Sequence, residues 1–501
     1  MNITIEQMYQ HLCEEARWIS LLESIASVLW WDERTMLPPA GAAYRAEQLR
    51  LLAGMIHERW TNPQLVANLE SMSASALASD PHSDTGANIR HLNRQCQRKA
   101  KLPRRLVEEL ATASVLGQQA WQEARRNDDF AHFAPHLERI VALKREQAAI
   151  WANGKPVYDA LLDTYEPGET AASLAPLFDQ LSQGLHRLLN DRNSRTSGHA
   201  AVRIRGSFPP AAQEALLREI LAQVGFDFHR GRLDQSAHPF CSRLGPEDCR
   251  ITTRYDTQDF TKALFGGLHE FGHALYKQGL PVEWYGLPLG EPISLGIDES
   301  QSRLWENLVG RSRGFLSHIL PKVKAHFPEL NHWSVDEMYR AVNRVESSLI
   351  RVEADELTYN LHIMVRFELE KPLIEGELSV GDLPQAWADG YERHLGIRPK
   401  NFRDGLLQDI HWAGGAIGYF PTYTLGNIYS AIWFQQAELE LGKLEPMFAR
   451  GEFGPLREWL REKIHRHGKR FDARELVTRI TGADRTAEPL LSYLESKFSE
   501  L

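Results

Sequence analysis

The chain has 501 residues with a formal net charge of −9, and 43% of them are hydrophobic and 25% charged, the make-up of an ordinary globular protein with ample core. An acidic surface attracts neither nucleic acid nor an anionic membrane, and no run approaches about 18 uninterrupted apolar residues, so both partners and a membrane span are excluded. The first residues lack a basic-then-apolar signal pattern, and the four cysteines (Cys13, Cys96, Cys241, Cys249) lack C-x-x-C spacing; a cytoplasmic location is expected.

Taken in chain order, the apolar periodicity predicts helices over 4–31, 40–70, 102–126, 131–153, 171–193, 210–224, 334–375 and 431–448. Pro38-Pro39 separates the first two, and the Ser-rich stretch 71–88 reads as a loop. Strand candidates are short: Ala201–Arg205, Arg250–Tyr255 and Ile293–Ile297. They cluster in sequence around one motif and predict a small sheet flanking it. Length alone admits two or three domains. With no internal repeat and no long linker, the chain reads as one mainly α unit spanning 1–501.

That motif is His269-Glu270-Phe271-Gly272-His273, an H-E-x-x-H within the apolar-striped run Thr261–Lys277. Four residues is a little more than one helical turn, so both imidazoles project from one face and can hold one cation. Glu270 stands where a general base is needed. Gly266 and Gly267 would let another backbone or a substrate come close. A hydrolytic site needs three protein ligands and one open position. The next amphipathic segment, Ile297–Asn307, offers Glu299, 26 positions after His273, as the third, with Glu306 on the same face as a supporting group. Two His and one Glu suit Zn2+ first, and also admit Co2+ or Mn2+.

Further motifs accompany these. They are Asp248-Cys249-Arg250-Ile251-Thr252 after His238-Pro239-Phe240, Ile350-Arg351-Val352-Glu353-Ala354-Asp355, and Gly405-Leu406-Leu407-Gln408-Asp409-Ile410-His411-Trp412, followed by Gly418-Tyr419-Phe420-Pro421-Thr422-Tyr423. Together with H-E-x-x-H and the Glu299-Ser300-Gln301 segment, they resemble the carboxypeptidase Taq family of metallocarboxypeptidases across nearly the whole chain. Trp31-Asp32, Met36-Leu37-Pro38 and Ile464–Gly468 also look familial. One departure stands out, since the family commonly has His before Glu-Ser-Gln and this chain has Asp298.

The resemblance implies one large α-helical catalytic domain with a deep groove between two lobes, broad specificity and a homodimer. The expected reaction is release of C-terminal amino acids from peptides with a free C-terminus, with Glu270 as general base. His411 and Tyr423 are candidates for stabilising the oxyanion, and Tyr419, in the same block, is a candidate for binding the substrate. Arg250 and Arg351 are candidates for clamping the substrate carboxylate, since a guanidinium binds one with two parallel hydrogen bonds. Bland alternatives are local ion pairs: Arg250 with Asp248, and Arg351 with Asp355 four residues on along a helix. Gln408 and Asp409 are expected to line the substrate site or support it. His465 and His467 read as structural, His238 as a loop-fixing residue, and Cys241 and Cys249 as able to pair across a turn if oxidised. Two competing functions are an oligopeptidase or dipeptidyl carboxypeptidase on a similar scaffold, and a peptide-binding protein with a degenerate metal site.

Overall fold

Thr4 opens the first helix, Ile5–Thr35, by a capping box: its hydroxyl accepts from the Gln7 amide while the Gln7 side chain accepts from the Thr4 amide. The computed structural model describes residues 4–195, 203–499 and 501, and helices dominate it as expected, with one three-stranded sheet. The described residues form two compact units. One draws on Met1–Ala100, Val202–Val342 and Tyr429–Asp484, the other on Lys101–Ala201, Asn343–Ile428 and Arg485–Leu501. Each unit is thus assembled from three separate stretches of chain. No helix among the described residues is long and apolar enough to cross a membrane.

Several predicted elements break where local chemistry offers the backbone something better than helix. The expected helix 40–70 is two, Ala42–Trp60 and Pro63–Ser73. Asn62 accepts from the amides of Gln64 and Leu65, and Pro63 lacks the donor that an unbroken helix would need. The expected helix 334–375 stops at Val342, makes a single turn at Arg351–Glu353 and resumes at Tyr359–Glu375. Asp355 explains the interruption, since its carboxylate accepts from the backbone of Leu357, Thr358 and Glu346. The segment 431–448 is the end of Pro421–Leu441 followed by Glu445–Ala449, divided at Gly442, whose φ of +89° favours glycine.

Ile293–Ile297 is no strand; Ser294 caps the helix Leu295–Arg303 by accepting from the Ile297 amide. The stretch 71–88 is only partly loop, with the helix Asp84–Ala100 beginning inside it and burying Ile89, Leu92 and Cys96. Of the Ala201–Arg205 candidate, residues 201 and 202 lie outside the described residues, and 203–205 carry no strand.

The sheet consists of β1 (Gly231–Gln235), β2 (Cys241–Gly245) and β3 (Asp248–Thr253) in the order β1-β3-β2. β1 runs parallel to β3 and β2 antiparallel to it. Only β3 was expected, as Arg250–Tyr255. Its buried Thr253 donates to the Ala263 carbonyl, tying the sheet to the helix Phe260–Gly279 that bears the H-E-x-x-H motif.

Candidate metal centre

Asp259 starts the motif helix by accepting from the Thr261 amide, and Phe260, Leu264, Leu268, Phe271 and Leu275 bury its apolar stripe. That burial fixes the helix's rotation and sends His269 and His273 out on the remaining face. Of the two glycines expected to admit a close neighbour, Gly267 takes the Leu217 side chain, 2.6 Å from where a Cβ would lie, and the close backbone approach falls at Gly272, inside the motif. A Cβ there would lie 2.4 Å from the Gln301 carbonyl oxygen, so glycine lets the backbone of Leu295–Arg303 cross directly over the motif. Glu299 arrives by this crossing. The helix then widens into a π-helical turn at Leu304–Val309, which carries Glu306. Such turns re-aim side chains and recur at functional sites.

Glu299 Oε2 lies 3.8 Å from His269 Nε2 and 3.5 Å from His273 Nε2. One ligand atom from each of the three residues falls within 4.8 Å of the others. The opposite ring nitrogens are held: His269 Nδ1 is 2.9 Å from Glu306 Oε2, and His273 Nδ1 is 2.9 Å from Asp298 Oδ1. Both bonds direct the Nε2 atoms inward. Arg303 braces the acidic groups, its Nε donating to Glu299 at 2.9 Å and its Nη1 to Glu306 at 3.2 Å. Lys277 Nζ stands 3.4 Å from Asp298.

Charge follows geometry. Burial pushes Glu299 up, but His269, His273 and Arg303 outweigh it and hold the carboxyl at about 2. Glu306 is likewise held at about 2 against burial by Arg303 and His269. Asp298 is driven below the usual carboxylate range by Lys277 and His273, which overcome its burial. Burial disfavours charge on the imidazoles, yet the surrounding carboxylates raise both His269 and His273. Glu270 goes the other way, pushed up chiefly by burial.

These residues fit a divalent cation. Ligand atoms about 2.1 Å from a tetrahedral ion stand roughly 3.4 Å apart, close to the Nε2–Oε2 separations here. Each histidine also has the carboxylate partner on its far nitrogen that metal-binding histidines use.

The C-terminal motif block builds a second cluster, within the other unit. His411 Nε2 is 3.3 Å from the Tyr423 hydroxyl, and its ring packs against Tyr419 and Phe420. Burial lowers its pKa to about 4, leaving the imidazole neutral near pH 7. Tyr419 also packs edge-on against Tyr165. Arg351 is buried but does not pair with Asp355, because the interrupted helix removes the four-residue spacing. Its guanidinium is gripped instead by Asp409, with Nε and Nη2 at 3.1 and 2.8 Å, and its Nη1 donates to the Tyr359 hydroxyl. Arg366 binds the other oxygen of Asp409 at 2.8 Å. Gln408 is a peg between backbones, accepting from the Arg351 amide and donating to the Leu349 carbonyl.

Arg250 pairs with Asp248 through two bonds of 2.9 and 2.7 Å and lies over the Trp31 ring, so the local-pair alternative is the arrangement seen. His465 is buried against Tyr276 and bonds Gln301 at 2.9 Å, and His467 packs on Phe471. The His238 carbonyl accepts from Ser236, closing the loop before β2.

The sequence reading missed Glu370. Fully buried in Tyr359–Glu375, it accepts from Trp412 Nε1 at 2.8 Å, the Tyr158 hydroxyl at 3.0 Å and the Gly418 amide at 3.0 Å. It thereby pins both ends of the turn between His411 and Tyr419. Its helix mixes polar and apolar residues on every face, so no periodicity set this carboxylate apart from Glu368 or Glu375.

Comparison with known proteins decides the family. The model for carboxypeptidase Taq (M32) metallopeptidases matches residues 11–498. The chain belongs to this family. It is 48% identical to thermostable carboxypeptidase 1 of Thermus thermophilus, with all of both chains covered. It is 36% identical to carboxypeptidase 1 of Bacillus subtilis over 96% of each. The crystal structure of the M32 carboxypeptidase from Deinococcus radiodurans superposes with a TM-score of 0.94 at 40% identity, covering 98% of this chain and 99% of that one. As an M32 member the chain is a metal-dependent carboxypeptidase, and the three converging ligands are where its divalent ion is to be sought.

Proposed function

We propose that the chain, acting as one catalytic domain over 1–501, removes single C-terminal amino acids from peptides using one divalent ion held by His269, His273 and Glu299, with Zn2+ as the first choice and Co2+ or Mn2+ as alternatives. The observation that carries this reading is the convergence of His269 Nε2, His273 Nε2 and Glu299 Oε2, with both Nδ1 atoms anchored by carboxylates. When bound, the cation supplies Lewis-acid activation of water and of the scissile carbonyl. The chain's own groups do the rest.

Glu270 takes the proton of the attacking water on its carboxylate and returns it to the leaving amine. Its raised pKa suits that exchange, since a weaker acid is a stronger base. His411 and Tyr423 donate to the oxyanion; their mutual contact at 3.3 Å and the neutral imidazole support a paired role. Tyr419 supports the His411 ring. Arg250 and Arg351 bind the substrate carboxylate, with Arg250 favoured because its side chain is 19% exposed against 6% for Arg351. Gln408 acts on substrate only by holding the Arg351 backbone.

Broad specificity, a cytoplasmic location and a homodimer complete the proposal. For the dimer, Trp18, Leu21, Ile25 and Val28 leave an exposed apolar stripe on the first helix, and Tyr44, Leu51 and Met55 are exposed on the second. Light scattering on the eluting protein checks the dimer. The function is tested by incubating one peptide with a free and with an amidated C-terminus and weighing the products. Stepwise single-residue loss from the free form alone is expected. Internal cleavage, or loss of dipeptides, contradicts the reading.

A further inference from the structure

The sheet beside the motif helix carries two thiols that hydrolysis does not use. In the register of β2 and β3, Cys241 stands opposite Ile251 and Arg243 opposite Cys249, so the cysteines lie diagonally on one face of the ladder. Both are reduced, with Sγ atoms 3.7 Å apart. Cys249 is buried and Cys241 is partly buried. A disulfide needs about 2.05 Å between sulfurs, so closure requires a relative movement of under ~2 Å. β2 can supply it, being an edge strand with an irregularity between Arg243 and Gly245.

The surroundings favour the reactive form. Lys277 interacts electrostatically with both sulfurs, and Arg243 with Cys249. The two sulfurs share a hydrogen bond that holds the Cys249 pKa down, while burial pushes the Cys241 thiol up. Lys277 also faces Asp298, which holds His273.

We propose that Cys241 and Cys249 form a reversible oxidation site, closed to an intrachain disulfide by hydroperoxides and coupled to the metal centre through Lys277, Asp298 and His273. In the first step the thiolate sulfur of Cys249 forms an S–O bond as the peroxide O–O bond breaks. The departing hydroxide (alkoxide from an organic peroxide) takes the proton of Cys241 and leaves as water or alcohol. The thiolate so formed on Cys241 attacks the sulfenic sulfur, forming S–S as S–O breaks, and the released hydroxide takes up the proton first lost by Cys249 and leaves as a second water. Two thiols and one hydrogen peroxide become one disulfide and two waters. The neutral disulfide leaves Lys277 with Asp298 as its anionic partner, drawing that carboxylate from His273 Nδ1. This coupling rests on the proposed metal reading; the thiol chemistry does not.

The test treats reduced, full-length protein with hydrogen peroxide. Titratable thiols in denaturant should fall from four to two, with a peptide crosslink joining 241 to 249 that a dithiol reverses. Competition with a chromophoric chelator should show Zn2+ bound several-fold more weakly after oxidation. Cys241→Ser should abolish both the crosslink and the affinity change. Four persisting thiols, or irreversible oxidation without the crosslink, overturn the site. A crosslink with unchanged Zn2+ affinity overturns the coupling. Reduced protein that binds no Zn2+ overturns the metal reading and the coupling together, while the thiol count still judges the oxidation site.

Discussion

Asp298 and His273 are joined by a 2.9 Å bond between Oδ1 and the ring Nδ1, and the Asp298 carboxylate is balanced in turn by Lys277. Asp298 does for His273 what Glu306 does for His269. Asp298→Asn keeps the shape and removes the charge, and it should weaken metal binding about 10–100-fold. Chelator competition measures this; unchanged affinity would show that Asp298 only fills space.

Glu270→Gln should retain a full complement of metal and lose turnover by a factor of about 10²–10⁴, the usual worth of a general base. Steady-state kinetics beside metal analysis of the same sample decides it. Normal hydrolysis by the metal-loaded variant would remove Glu270 from the mechanism.

Burial, partly offset by its three donors, pushes Glu370 from 4.5 up to about 7. Below about 4.5 the folded and unfolded chains both hold this proton, so it has no effect on stability. Between about 4.5 and 7 the unfolded chain releases it first, and stability falls as pH rises, by about 3 kcal/mol in all. Above 7 the cost is constant. Glu370→Gln, which cannot ionise, should therefore gain melting temperature relative to wild type as pH rises through this window. A constant offset between the two melting curves would contradict the assignment.

Asp409 is the shared anion of two buried arginines, Arg351 and Arg366. Removing it by Asp409→Asn strands both, and a cost of about 3–5 kcal/mol is expected. Asp355→Asn should cost only about 1 kcal/mol, the worth of a capping contact. Thermal melts of the two variants distinguish this network from the Arg351–Asp355 pair that spacing alone suggested.

What could be read in the sequence was local. His269 and His273 are one turn apart and declare themselves, and Glu299 and Glu306 follow on the next amphipathic segment. The pairings that escaped notice are made by tertiary structure. Asp409 meets Arg351 across 58 positions and Arg366 across 43. Glu370 is 42 positions from Trp412 and 212 from Tyr158. β1 (GRLDQ) and β2 (CSRLG) are too short and polar to show a period of two, since pairing with β3 is what makes them strands. The run at 293–297 misled in the opposite sense, its apolar residues outweighing the capping signal of Ser294.

The most direct test of the central claim is metal stoichiometry of wild-type protein beside His269→Ala, His273→Ala and Glu299→Gln, each loaded with Zn2+ and then dialysed. The wild type should hold one ion per chain and each variant close to none, with folding intact by circular dichroism. Retention of a full equivalent by the three variants would place the metal elsewhere and contradict the account.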